Sequence, residues 1–246
     1  GLLAAERASE VDSALAAYKK FIDDFPESRL RADGLIGYAK VLLLAEKAGD
    51  ARKRFEEAGK LADEKKLFVS YGFEALLGIA GSFSVEKNWP LAIPEYESAM
   101  QKAGNALRRA RDMEKPILER MRLQAASRLG DAMIAKAESS GRQQDFDQAR
   151  TFFTGLSGSL GDGDRVQALS KVGEAICVLY EGRTREALLK LAEAKVNHFT
   201  NRDEVAKALY YMAKAADKLG HTSQSVEFIK ELKESYPNSD WARRAD

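Results

Sequence analysis

Ala208–Ser239 reads ALYYMAKAADKLGHTSQSVEFIKELKESYPNS, and its spacing describes two helices joined by one tight turn. In the first half Leu209, Met212, Ala213 and Ala216 fall at i, i+3, i+4 and i+7, one apolar stripe on an amphipathic helix. Gly220 ends that helix, because glycine tolerates the left-handed backbone that follows a helix. In the second half Val226, Ile229, Leu232 and Tyr236 make a stripe of the same kind. Pro237 closes it, since proline lacks an amide hydrogen and clashes with the preceding turn. Neither helix buries its stripe alone. Ala213 and Ser225, small side chains twelve positions apart, let the pair approach closely, and Ile229 fills the gap one turn later.

The same signature recurs upstream. Ala39 and Ala51, Ala80 and Ala92, and Ala175 and Ala187 are each twelve apart. Four residues after each second alanine stands Phe55, Tyr96 or Leu191, and seven after it Ala58, Ala99 or Ala194. Ala149, Phe153 and Leu156, and Ala14, Tyr18 and Phe21, repeat the second-helix half, which makes six units. These residues resemble the tetratricopeptide repeat pattern: a small residue midway in each helix, a large residue four after the second, and a closing proline. Successive units are 37, 41, 57, 38 and 38 residues apart, longer than the roughly 34 of the tandem repeat. The resemblance implies an all-α, right-handed superhelical array of antiparallel helix pairs, an irregular α-solenoid of about six repeats. Asp24-Phe25-Pro26-Glu27-Ser28 and Ser235-Tyr236-Pro237-Asn238-Ser239 look most like the bacterial envelope branch: the outer-membrane lipoproteins of β-barrel assembly and the Tol-associated periplasmic protein.

With 45% hydrophobic residues in 246, a repeat array spreads its core along its axis, so one elongated domain over 1–246 is expected. Lys and Arg number 39 against 38 Asp and Glu, so no chain-wide field attracts nucleic acid. Apolar runs such as Val41–Ala45, and none longer than six residues, are far short of the roughly 20 residues that span a bilayer. The single cysteine, Cys177, lies among Val172, Ile176 and Val178 and reads as a small buried hydrophobe. If Ala14 holds a second-helix position, residues 1–8 are the tail of a first helix, and Ser239 opens another helix through Asp240 to Arg243, so partial repeats stand at both ends. Pro94 predicts a local bend, and Pro116 predicts either a break or a helix start. Between 104 and 141 either Gly130 or Ala137 fits the small first-helix position. Ser157–Asp164, SGSLGDGD, is a glycine-rich break and the candidate hinge, with Asp164 and Gln167 spaced to cap the next helix reciprocally.

No catalytic, cofactor-binding or metal-binding residues emerge. Asp162-Gly163-Asp164 is followed by Arg165 and Val166, without the further oxygen ligands and closing glutamate of a calcium loop. The glycine-rich stretch lacks the Gly-Lys-Ser/Thr ending that cradles phosphate. His198 and His221 belong to no metal-ligand pair and read as solvated turn or helix-end residues. Carboxylates interleave with Lys and Arg, as in Arg52-Lys53-Arg54-Phe55-Glu56-Glu57, the look of an exposed helix face.

What a repeat array does offer is a concave surface lined by its first helices. Projecting the pattern puts Ile36, Lys40 and Leu43, then Leu77 and Ser84, then Ile176 and Tyr180, then Tyr210, Lys214 and Asp217 on that surface. Apolar anchors with scattered charges suit a peptide or a partner helix. The expectation is therefore a non-catalytic scaffold for a protein or peptide partner, periplasmic or outer-membrane-associated, with the cytoplasm as the alternative location. Two further readings stand beside it: the helical arm of a larger envelope enzyme or sensor, and self-association through the terminal repeats.

Overall fold

The computed structural model describes residues 2–245, with side chains from residue 9 onward, and among them every regular element is helical. A long first helix, α1 (Leu2–Asp24), precedes five helix pairs. These are α2 (Arg31–Leu44) with α3 (Ala48–Glu64), α4 (Val69–Val85) with α5 (Trp89–Leu107), and α6 (Lys115–Ser140) with α7 (Gln143–Thr154). A short helix, α8 (Leu156–Leu160), then leads into α9 (Asp164–Tyr180) with α10 (Thr184–Asn197) and α11 (Arg202–Lys218) with α12 (Thr222–Ser235). The short α13 (Asp240–Arg244) follows. The chain forms two compact units, Gly1–Ala132 and Met133–Asp246, divided inside α6.

The small residues of the repeat lie where the paired helices press together. Ala39, Ala51, Ala80, Ala92, Ala175 and Ala187 are fully buried, and Ala213 and Ser225 nearly so. Close approach of two helices needs such side chains at the crossing, because a larger one would hold the axes apart. The large residue four positions later fills the space that this leaves, and Phe55, Tyr96, Phe153 and Leu191 are all buried.

One turn geometry closes four of the five pairs. The amides of Lys47, Asn88, Arg183 and His221 reach back to the carbonyls of Leu42, Phe83, Val178 and Ala216, at 2.9, 2.9, 3.3 and 2.9 Å. The residue before each has positive φ: Glu46, Lys87, Gly182 and Gly220. This wrapping bond satisfies helix-terminal carbonyls that otherwise lack donors. The expected caps at the last repeat also form: α12 stops before Tyr236-Pro237, and the Ala242 amide donates to Ser239 Oγ at 3.0 Å.

Several local expectations need correction. Helix α1 runs unbroken from Leu2 to Asp24, so residues 2–8 are not the tail of a separate first helix; the side chains before residue 9 lie outside the described ones. Of the two readings of Pro116, the helix start holds: it sits in the first turn of α6, where its missing amide costs no intrahelical bond. The glycine-rich stretch contains α8, anchored by the buried Leu156. No reciprocal cap forms at α9: the Gln167 side-chain Nε2 donates to the Asp162 carbonyl at 3.2 Å, and the Asp164 carboxylate turns to His198 Nδ1 and Asn201 Nδ2, both at 2.6 Å. His198 is thus a helix-end residue, yet its side chain is only 12% exposed and paired rather than solvated. On α12, Val226 faces solvent while Leu232 is buried, because the crossing at Ser225 turns the Val226 side away from the pair. Cys177 is buried as expected, and burial pushes its thiol up to about 12.

Candidate functional site

In the first unit the face of the first helices carries exposed Lys40 on α2, whose Nζ lies 2.6 Å from Glu74 on α4. Nearby the Tyr71 hydroxyl donates to Asp33 at 3.0 Å, a bond that raises the tyrosine's pKa. Leu43 and Leu77 are half-buried and pack against the cores of their repeats. Ser84 spends its hydroxyl on the Ala80 carbonyl at 3.3 Å and lies 3.4 Å from the Tyr96 hydroxyl. Ile36 departs from the projection: it is 5% exposed and belongs to the core.

In the second unit three first helices contribute to one polar cluster. Glu138 on α6 accepts from the Tyr180 hydroxyl on α9, from Tyr211 at 3.3 Å and from Lys214 Nζ at 3.1 Å, both on α11. Lys214 also donates to the Tyr180 oxygen at 3.0 Å. Phe146 stacks on Tyr180 with centroids 4.6 Å apart, which holds the ring in place. Lys218, one turn beyond Lys214, lies 4.7 Å from the Tyr180 centroid, a cation over an aromatic face. Tyr210 is half-buried and leans on Trp241 at 5.4 Å, and Asp217 is exposed. Ile176 is fully buried and, like Ile36, supports the face from beneath, because one position after the crossing alanine can point either outward or into the adjoining helix.

Burial and hydrogen bonding shift two groups of this cluster. Burial, reinforced by the hydrogen bond to Glu138, pushes the Tyr180 hydroxyl up to about 12. Burial alone would depress Lys214, but Tyr180 and Glu138 outweigh it and its pKa rises. Lys214 Nζ and the Glu138 carboxylate, 3.1 Å apart beside the Tyr180 hydroxyl, thus tie three first helices together. Among the described residues no group of three or more His, Cys, Asp and Glu could hold a metal ion. Among the same residues no helix is long and apolar enough to cross a membrane.

The projection brought Tyr180, Tyr210, Lys214 and Asp217 to one neighbourhood but missed Glu138. Its signal lay in the ambiguous stretch: Ala137 stands twelve before Ala149, and with Ala137 at the crossing, Glu138 takes the position of Lys40 and Lys214.

The sequence profile of the tetratricopeptide repeat family matches residues 1–28 and 207–239. In fold the chain is a tetratricopeptide-like helical-repeat protein. NprR, solved in complex with its cognate peptide NprX, superposes with a TM-score of 0.61 at 11% identity, covering 97% of this chain and 65% of NprR. This chain therefore spans just under two thirds of that protein. YrrB, described as a tetratricopeptide protein with an unusual peptide-binding site, gives 0.44 at 16% identity over 94% of this chain and 98% of its own. A tetratricopeptide repeat protein from Parabacteroides merdae gives 0.48 at 12% over 97% and 92%. No curated protein sequence matches the chain.

Proposed function

We propose that the chain is a non-catalytic scaffold that holds a peptide or partner protein along the face of its first helices, within a bacterial envelope complex. The observation that carries the reading is the cluster of Glu138, Tyr180 and Lys214, which spans three first helices and leaves Tyr210, Asp217 and Lys218 at its edge. A rigid, internally neutralised floor with aromatic and charged groups at its margin suits recognition, since anchors already fixed in place lose little freedom on binding. The peptide held by NprR, which shares the fold, supports the same use of a repeat array. The envelope assignment rests on the turn patterns at 24–28 and 235–239, which fall inside the two segments matching the family profile.

Charge reversal at Lys40 and Lys214 is a poor probe, because each already has a carboxylate partner. Lys218→Glu with Tyr210→Ser alters the margin without replacing any of the groups that hydrogen-bond Glu138. An envelope-membrane extract passed over the immobilised chain should yield a protein that this variant retains at least tenfold less. Equal retention by parent and variant would remove the first-helix face from the account.

A further inference from the structure

The first unit contains a cleft of about 560 Å³ whose lining, though partly drawn from α4 and α6, shares no residue with those named on the first-helix face. Its floor is apolar: Phe55, Phe73, Leu76, Ile79, Leu118 and Met121 supply side chains from α3, α4 and α6. The charged residues that line it, Glu56, Lys60, Asp63 and Lys102, are all exposed and form the rim. Phe68 and Val69 flank it with 75% and 49% of their surface in solvent.

Two helical glycines hold this space open. A Cβ on Gly72 would meet nothing within 4 Å, and one on Gly59 only the Cβ of Ala75 at 3.5 Å, an ordinary contact. Both sites would accept a side chain, and glycine within a helix is less favourable than alanine. By contrast Gly78 and Gly34, elsewhere in the same unit, are filled by neighbouring rings.

We propose that the cleft is a docking site for an amphipathic helix of a protein partner, which inserts large apolar side chains and meets the rim with charges of both signs. The rim decides between ligand classes. A fatty acid brings one anionic head, whereas Lys60 and Lys102 are matched at the same mouth by Glu56 and Asp63, a pattern complementary to a mixed-charge polypeptide. The walls decide its conformation. They are helices whose backbone groups are already bonded internally, so an extended segment would find no ladder partner, while a helix satisfies its own.

The test is a displayed library of amphipathic helices with charges of both signs, selected on the whole chain and remeasured on Gly72→Leu, which fills the cleft. Selected helices should carry adjacent large apolar anchors and bind Gly72→Leu roughly tenfold more weakly, while thermal melting shows that variant at least as stable as the parent. If melting falls, Gly59→Ala with Gly72→Ala makes the same comparison. Equal binding to the filled variant, or no selected helix, overturns the proposal. Palmitate binding that Gly72→Leu abolishes, in place of helix binding, would overturn it in favour of an acyl-chain site. None of these outcomes touches Lys218 or Tyr210, so the first-helix reading stands or falls separately.

Discussion

The ring of Phe55 occupies the place where a side chain at residue 78 would begin: a Cβ on Gly78 would stand 2.3 Å from it. The same relation joins Phe153 to Gly173 at 2.2 Å and Tyr18 to Gly37 at 2.5 Å. In each case the large residue four after the second-helix crossing seats on the glycine two before the next first-helix alanine. Where that residue is Leu191, the position two before Ala213 holds Tyr211, so the bulk is exchanged between helices.

Gly78→Ala should therefore destabilise the chain by about 2 kcal/mol, the overpacking outweighing the gain in helix propensity. Adding Phe55→Leu should recover part of that loss. Urea unfolding monitored by circular dichroism gives both values; a Gly78→Ala variant more stable than its parent would contradict this packing.

Glu46 and Lys87 adopt φ of 59° and 55° in turns where Gly182 and Gly220 serve the equivalent positions. Replacing either with glycine relieves the contact between Cβ and carbonyl and should stabilise the chain by about 1 kcal/mol, less the entropy glycine adds to the unfolded state. The urea midpoint should rise for both variants and fall for Gly182→Ala.

Asp145 is buried, with Lys136 Nζ at 2.8 Å, Ser140 Oγ at 2.6 Å and Arg142 Nη2 at 2.9 Å. The bond from Lys136, then that from Ser140, hold its carboxyl at about 2, below an ordinary value of 3.8. A carboxylate with a depressed pKa stabilises the fold above its unfolded pKa, and that contribution is lost as pH falls through the folded value. Asp145→Asn should cost about 2 kcal/mol near neutrality and flatten the decline in stability from about pH 4 to about 2. Melting temperatures across that range measure it.

Tyr180 runs the opposite way. With its pKa raised from 10.0 to about 12, the folded state keeps a proton that the unfolded state releases, so its stabilisation is whole below pH 10 and lost as pH rises toward 12. An ultraviolet titration should show a late-ionising tyrosine that disappears in Tyr180→Phe and shifts earlier in Glu138→Gln.

Much of this architecture was legible because one requirement recurs: a small residue at each helix crossing with a large one a turn later. That requirement alone located Ala39, Ala51, Ala80, Ala92, Ala175 and Ala187, all fully buried. The face was less legible, because a helix projection gives a direction but not how far a neighbouring helix covers it. Ile36 and Ile176 were lost to the core for that reason, and Lys40 and Lys214 found carboxylates 34 and 76 residues away. The pairing of Asp164 with His198 was equally hidden, since it joins the start of one helix to the end of its partner.

The central claim, that a partner lies along the first helices, is tested most directly by placing a photoreactive benzophenone residue singly at Tyr210 and at Lys218. Glu227 on α12 and Lys190 on α10, both exposed on second helices, serve as controls. After irradiation in native extract, the account predicts one shared adduct from positions 210 and 218 and none of that mass from 190 or 227. Adducts from the second-helix positions alone would contradict it.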